Sequence, residues 1–155
     1  MIMPMIIYPH HGVDRIRFGM SRPDVERALG VAPRPSPRSK LTNVAEDFFD
    51  HLGLNVMYDE HVRCEAIGIT PGFDVDAEYN GYHLLAHPAR EVREWARAQD
   101  PNLDPKDGFL SKALGLYMFA DWIDEPDLDP DELQQPGQAF VVFQPSYYDR
   151  FPRKA

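Results

Sequence analysis

The period of apolar and polar positions changes several times along the chain, and each change marks an element. Met5, Ile6, Ile7 and Tyr8 form a short apolar run between Pro4 and Pro9, which predicts a buried first strand. Over residues 22–29 the spacing becomes helical, with Val25, Ala28 and Leu29 on one face and Arg22, Glu26 and Arg27 turned to water. Ser21 stands at the N-cap, Asp24 follows three residues on to complete a capping box, and Met20 can staple onto Val25. Gly30 supplies the left-handed stop. Pro33, Pro35 and Pro37 then exclude further helix and predict a loop.

Strict alternation returns at Leu54, Val56 and Tyr58, separated by Asn55 and Met57, as in a half-buried strand. Phe48 and Phe49 begin another strand before Gly53. Asp59 and Glu60 read as a tight turn, and residues 62–69 as the returning strand of a hairpin with Gly68 at a bulge. Asn80-Gly81, between 75–79 and 82–85, is the strongest hairpin signal in the chain. Pro88 opens a second helix that Asp100-Pro101 ends. Val92, Trp95, Ala96 and Gln99 lie along its inner side, and Arg90, Glu91, Arg93, Glu94 and Arg97 fall largely outside. AFVVF at 139–143 is the last strand.

The two halves of this pattern read alike. LGLNVMYD at 52–59 aligns with LGLYMFAD at 114–121, an offset of 62 residues, and Val25 stands 67 residues before Val92. The expected architecture is therefore α+β: an antiparallel sheet with helices packed on one face. It forms a single domain over 1–155, with a duplicated helix-loop-hairpin unit at about 12–70 and 75–145.

Composition narrows the function classes. A chain of 155 residues with 43% hydrophobic and 12% aromatic content is globular. Acidic residues outnumber basic ones by 25 to 16, and a net charge of −9 repels phosphate backbones, so the expected partner is a protein, of basic character, and not a nucleic acid. The single cysteine, Cys64, excludes an internal disulfide framework and a cysteine-rich zinc site, which suits the cytoplasm. MIMPMIIYPHHG lacks a basic leader and a cleavage site, and no stretch reaches the length of a membrane span.

GMSRPDVERALGVAP resembles a segment of the SmpA/OmlA (BamE-like) small outer-membrane lipoproteins, through Gly19, Met20, Ser21, Val25, Leu29 and Gly30, with Pro33 displaced by one. The tandem arrangement is also similar to that of the β-lactamase inhibitory proteins, in which helical units followed by antiparallel strands build a concave binding sheet. No lipoprotein signal or lipid-bearing cysteine is read in this sequence, so the expectation is that the membrane role does not carry over. What the resemblance implies is architecture and, through the inhibitors, protein binding.

The candidate chemistry is sparse. His83 and His87 have the i, i+4 spacing of a helical metal pair, but Pro88 and the Asn-Gly hairpin put them on a strand and at a helix start, so no metal or cofactor is expected. Cys64 reads as a buried structural thiol. No nucleotide-binding, nucleophile-elbow or zinc-protease motif occurs. The unusual stretch is DWIDEPDLDPDEL, residues 121–133. Asp127, Asp129 and Asp131 have the first spacings of a calcium loop, yet Glu132 and Gln138 occupy its glycine and twelfth positions. It reads either as a solvated connection left unstructured by its prolines or as a negative surface that steers a cationic partner. Neighbouring Tyr117, Phe119, Trp122, Tyr147, Tyr148 and Phe151 keep the second use open beside the first, with Tyr117 and Phe119 equally suited to filling the core.

The expectation is a non-enzymatic protein-binding module, an immunity protein or inhibitor, with Trp122, Asp124, Glu125, Asp127 and Tyr148 as its partner-binding residues. The alternatives are a small enzyme or ligand-binding protein, using a carboxylate with His61, His83 or His87, and an oligomeric scaffold paired through an exposed AFVVF edge.

Overall fold

The computed structural model describes residues 3–35, 45–72 and 75–147. The chain runs through β1 (Met3–Tyr8), β2 (Gly12–Val13), β3 (Ile16–Arg17), α1 (Arg22–Leu29), β4 (Arg34–Pro35), β5 (Glu46–Phe49), β6 (Leu54–Tyr58) and β7 (Cys64–Ile69). It continues through β8 (Val75–Tyr79), β9 (Tyr82–His83), α2 (Ala89–Gln99), β10 (Gly108–Ser111), β11 (Leu116–Phe119), α3 (Pro130–Leu133) and β12 (Ala139–Phe143). The strands divide into two sheets, a partition that strand periodicity does not encode. One has the order β3-β2-β1-β8-β9, with β1 and β8 parallel; the other is antiparallel, in the order β10-β11-β12-β7-β6-β5-β4. The fold is thus mixed α+β.

Local signals explain most of these elements. The Ser21 side chain accepts from the Asp24 amide at 3.3 Å, and Gly30 ends α1 at φ 71°. The expected capping box is half formed, because the Asp24 carboxylate pairs with Arg27 instead. Asn80 and Gly81, at φ 48° and 84°, make the left-handed two-residue turn that the dipeptide favours, although the returning strand is limited to Tyr82–His83. The loop expected after Gly30 contributes Arg34–Pro35 to the sheet, and residues 36–44 lie outside the described residues.

The β6–β7 hairpin corrects two expectations. Its bulge is at Glu65, not Gly68: Met57 faces Ala66 while Tyr58 faces Cys64, leaving Glu65 as the extra residue. Gly68 instead permits a close crossing, since a Cβ there would overlap the Asn55 amide oxygen and lie 2.7 Å from its Cγ. The return strand begins at Cys64 because Val62 adopts φ 56° in the turn, a strained choice for a β-branched residue. The Asp59 carboxylate holds this turn by accepting from the His61 and Arg63 amides at 2.8 and 3.0 Å.

One apolar cluster draws on both sheets and on α1 and α2, with Val13, Val25, Phe49, Leu84, Val92, Phe109, Met118 and Phe140 fully buried. A second, smaller cluster, Ala66, Leu110 and Phe143, lies on the opposite face of the seven-stranded sheet with Met57, Tyr117, Val141 and Tyr147. In α2, Val92 and Ala96 are buried as the pattern requires, while Gln99 is exposed. Trp95 stacks on Tyr82 at 4.4 Å and meets Tyr79 edge-on at 5.4 Å.

AFVVF is not an edge strand: β12 lies between β11 and β7. The ends of that sheet are covered by short pieces of chain, Arg34–Pro35 on one side and Asp104, which exchanges backbone hydrogen bonds of 2.9 and 2.7 Å with Leu110, on the other. Among the described residues each half runs strands, helix, strands, with Gly53 and Gly115 at equivalent points, φ 64° and 63°, before β6 and β11, but three strands precede α1 and four follow it, whereas two precede α2 and three follow it. This shared order does not by itself establish a duplication.

The crossing at Gly68 yields a stability prediction. Gly68→Ala lowers unfolding free energy by about 1–3 kcal/mol through overpacking against Asn55, and adding Asn55→Ala recovers part of that loss. Urea midpoints of the two variants measure both effects.

Candidate acidic surface and histidine pair

The acidic stretch is a solvent-exposed connection, as one of the two expectations had it, but it is built from turns and a short helix and is not left unstructured by its prolines. It links β11 to β12, which are paired from Leu116–Val142 to Phe119–Ala139, so its two ends are held side by side. Successive turns set its first part: the Ile123 amide donates to Ala120 O at 3.1 Å and the Glu125 amide to Trp122 O at 3.0 Å. Ile123, 1% exposed, anchors it in the main core, with Trp122 half-buried against the same cluster. Its second part contains α3, which sequence reasoning missed although the signals were present. Asp129 accepts from the Glu132 amide at 2.8 Å, Glu132 accepts in return from the Asp129 amide at 3.3 Å, and Pro130 opens the first turn.

Two arginines of α2 fasten this segment. Arg90, expected to face water, donates to Ile123 O at 2.8 Å and Glu125 O at 3.1 Å. Arg93, whose side chain is only 12% exposed, donates to both Asp124 oxygens at 2.8 and 3.2 Å and to Pro105 O at 3.2 Å. The hydrogen bond from Arg93, and then its charge, hold the Asp124 carboxyl below its ordinary acidity range. At the far end the Ala89 amide donates to Gln135 O at 2.9 Å. What remains outward is Asp121, Glu125, Asp127 and Asp131, all exposed, with no ion-pair partner for their carboxylates among the described residues.

The residues expected to bind a partner therefore separate. Glu125 and Asp127 are exposed, Asp124 is spent on Arg93, Trp122 packs inward, and Tyr148 lies outside the described residues, as does Phe151. Tyr117 and Tyr147 belong to the smaller cluster on the sheet's opposite face. The arginine clamp had a legible signal in Arg90 and Arg93, three residues apart on one flank of α2, but their partners in the acidic segment are more than 30 residues away in sequence.

The histidines do not converge. His83 Nδ1 bonds the Asp76 carboxylate across the β8–β9 hairpin, and that hydrogen bond, followed by the charge of Asp76, raises the imidazole above its usual value. His87 lies 3.3 Å from Glu91 and stacks on Tyr82 at 4.8 Å; the helix cap itself is Pro88, without a side-chain bond. His61 pairs with Glu60 at 3.5 Å in the β6–β7 turn. Among the described residues no group of three or more His, Cys, Asp or Glu is placed to hold a metal ion. Cys64 is buried, and that burial pushes its thiol up to about 12, a poor state for a nucleophile.

A membrane role gains no support from the helices: among the described residues none is long and apolar enough to cross a bilayer. Compared with known protein families, with curated proteins and with solved structures, the chain matches none.

Two predictions concern the titratable groups. In an NMR titration His83 shows a pKa above 6.5, and Asp76→Asn lowers it. Since folding raises this pKa, the pair's stabilisation is fully present below the unfolded value and is lost as pH rises through the folded one; Asp76→Asn removes that dependence. Cys64 stays unreactive toward a thiol reagent in the folded protein at neutral pH and reacts stoichiometrically once urea unfolds it.

Proposed function

We propose that this is a non-enzymatic protein-binding module of the immunity-protein or inhibitor kind, which engages a basic protein partner through residues 121–133. The observation that carries the reading is the ordered acidic segment. Glu125 and Asp127 project from a backbone that Arg90 and Arg93 fasten to α2, so a complementary cationic surface meets a preformed array. Preformed charge speeds encounter and avoids the ordering cost that a flexible loop incurs on binding. The resemblance to SmpA/OmlA-type and inhibitory-protein repeats accords with a binding scaffold, and cytoplasmic residence accords with the single reduced, buried Cys64.

A second reading, a small enzyme or ligand-binding protein, draws on the Asp76–His83 pair, in which a carboxylate orients an imidazole as a general base requires. It is weaker, because the other two candidate histidines, His61 and His87, each pair with a separate carboxylate, Glu60 and Glu91. The scaffold reading loses its proposed edge, since β12 is interior.

Affinity capture from the native cell lysate, with mass spectrometry, tests the binding reading. The wild-type protein retains one stoichiometric basic partner at low salt and less of it at high salt. The double reversal Glu125→Lys and Asp127→Lys reduces capture by about tenfold or more, as expected when complementary charges become like charges. Equal retention by both proteins at both salts discards the acidic surface.

A further inference from the structure

We propose that Arg93 is the positioning residue of the acidic segment, ordering it through the geometry of its guanidinium and not through its charge alone. The functional consequence rests on the binding reading above; the ordering itself does not. Three acceptors from two separate stretches of chain converge on this one side chain: Pro105 O, just before β10, and the two oxygens of Asp124. A planar fork satisfies a carboxylate with parallel donors and still reaches the carbonyl, whereas a lysine ammonium is a point donor on a flexible stem.

The surrounding bonds make Arg93 the centre of a larger attachment. Arg90, one turn earlier on α2, holds the carbonyls on either side of Asp124, those of Ile123 and Glu125. The backbone of three consecutive residues, with the side chain of the middle one, is thereby fixed to a helix whose other flank is in the core. Asp121, Glu125, Asp127 and Asp131 repel one another, so an ordered array of them needs compensation from beneath. Arg93 lies beneath, nearly buried, against an Asp124 side chain that is 66% exposed. Removal of Arg93 loosens the segment on either account, whereas Arg93→Lys, which keeps the charge and loses the planar fork, separates geometry from charge.

Hydrogen–deuterium exchange of the full chain, which needs no partner, tests the assignment. In Arg93→Ala, and equally in Arg93→Lys, the hydrogen-bonded amides of Asp121, Ile123 and Glu125 exchange about tenfold faster than in the wild type, the effect expected from losing a charged hydrogen-bond pair that closes a local unit. Asp124→Asn, which leaves Arg93 in place and preserves side-chain volume, speeds the same amides. Arg97→Ala, which removes only the exposed pair with Glu94 on the same helix, does not. Wild-type protection in Arg93→Lys would show that charge alone suffices and overturn the proposal. So would unchanged exchange in all variants, or a loss spread evenly over β7 and β12, which would make Arg93 a general brace. If the exchange results hold while charge reversal at Glu125 and Asp127 leaves capture unaltered, the binding reading fails and the positioning role stands.

Discussion

The antiparallel seam between β7 and β12 is the contact on which the rest of the architecture depends, because it joins two separate runs of strands into one sheet. Ile69, Gly68, Ile67 and Ala66 face Phe140, Val141, Val142 and Phe143. Alternation along the seam sends Ile67, Ile69, Phe140 and Val142 into the main core and Ala66 and Phe143 to the smaller cluster. Both faces of the seam are therefore apolar, and all six residues of β7 are buried. The same seam fixes the left-handed glycines on either side. Thr70, just past β7, donates to Gly53 O at 2.8 Å, and Phe143, at the end of β12, donates to Gly115 O at 3.0 Å. Each glycine thus sets where its central strand, β6 or β11, begins against its neighbour.

From this seam the position of the acidic segment follows. With β12 held by β7, β11 and β10 are laid outward in order, and α2 rests beside β10. The connection from β11 to β12 must leave and re-enter between adjacent strands. The Gln138 amide, bonded to Phe119 O at 2.8 Å, closes that neck. A connection of this length has little core of its own, and ordering it costs conformational entropy. Ile123 in the core, the capping box of α3 and the arginines of α2 together offset that cost.

Local chemistry was legible where neighbours in sequence are neighbours in space. Ser21 and Gly30 bound α1, Asn80-Gly81 turns the hairpin, and the alternation of Leu54, Val56 and Tyr58 marks a half-buried strand because each result needs only a few adjacent residues. The parallel pairing of β1 with β8 was not legible, since it joins residues about 70 positions apart and both strands carry apolar side chains compatible with either sheet. Gly68 shows the same limit: a strand glycine signals a bulge or a close approach, and only Asn55 on the neighbouring strand decides for the second. At the candidate site, Glu125 and Asp127 were identifiable by composition, whereas the use of Asp124 and Trp122 depends on α2 and the core. The prolines of 121–133 suggested irregularity, yet Pro130 sits where a helix begins, and the Asp129–Glu132 spacing was the signal that outweighed it.

The concentration of negative charge on this surface is a consequence of how the cations are employed. Arg22 is committed to the fully buried Asp47, Arg34 to Asp50, Arg90 to backbone carbonyls and Arg93 to Asp124. Arg17 lies over the Tyr8 ring and donates to the carbonyls of Asp14 and Ile16. Basic side chains that hold the fold in this way contribute less to screening the surface, and among the described residues several exposed carboxylates have no ion-pair partner. Asp121, Glu125, Asp127 and Asp131 are in that position, gathered on one connection instead of dispersed. Self-repulsion on this connection weakens with salt, as does the Arg93–Asp124 pair, whose carboxylate side chain is 66% exposed, while the hydrogen bonds from Arg90 and Arg93 to the carbonyls of Ile123, Glu125 and Pro105 join a cation to a neutral group and depend less on salt. Salt therefore acts on the field that the segment projects more than on the structure that holds it, which is the separation a charge-steered binding surface requires.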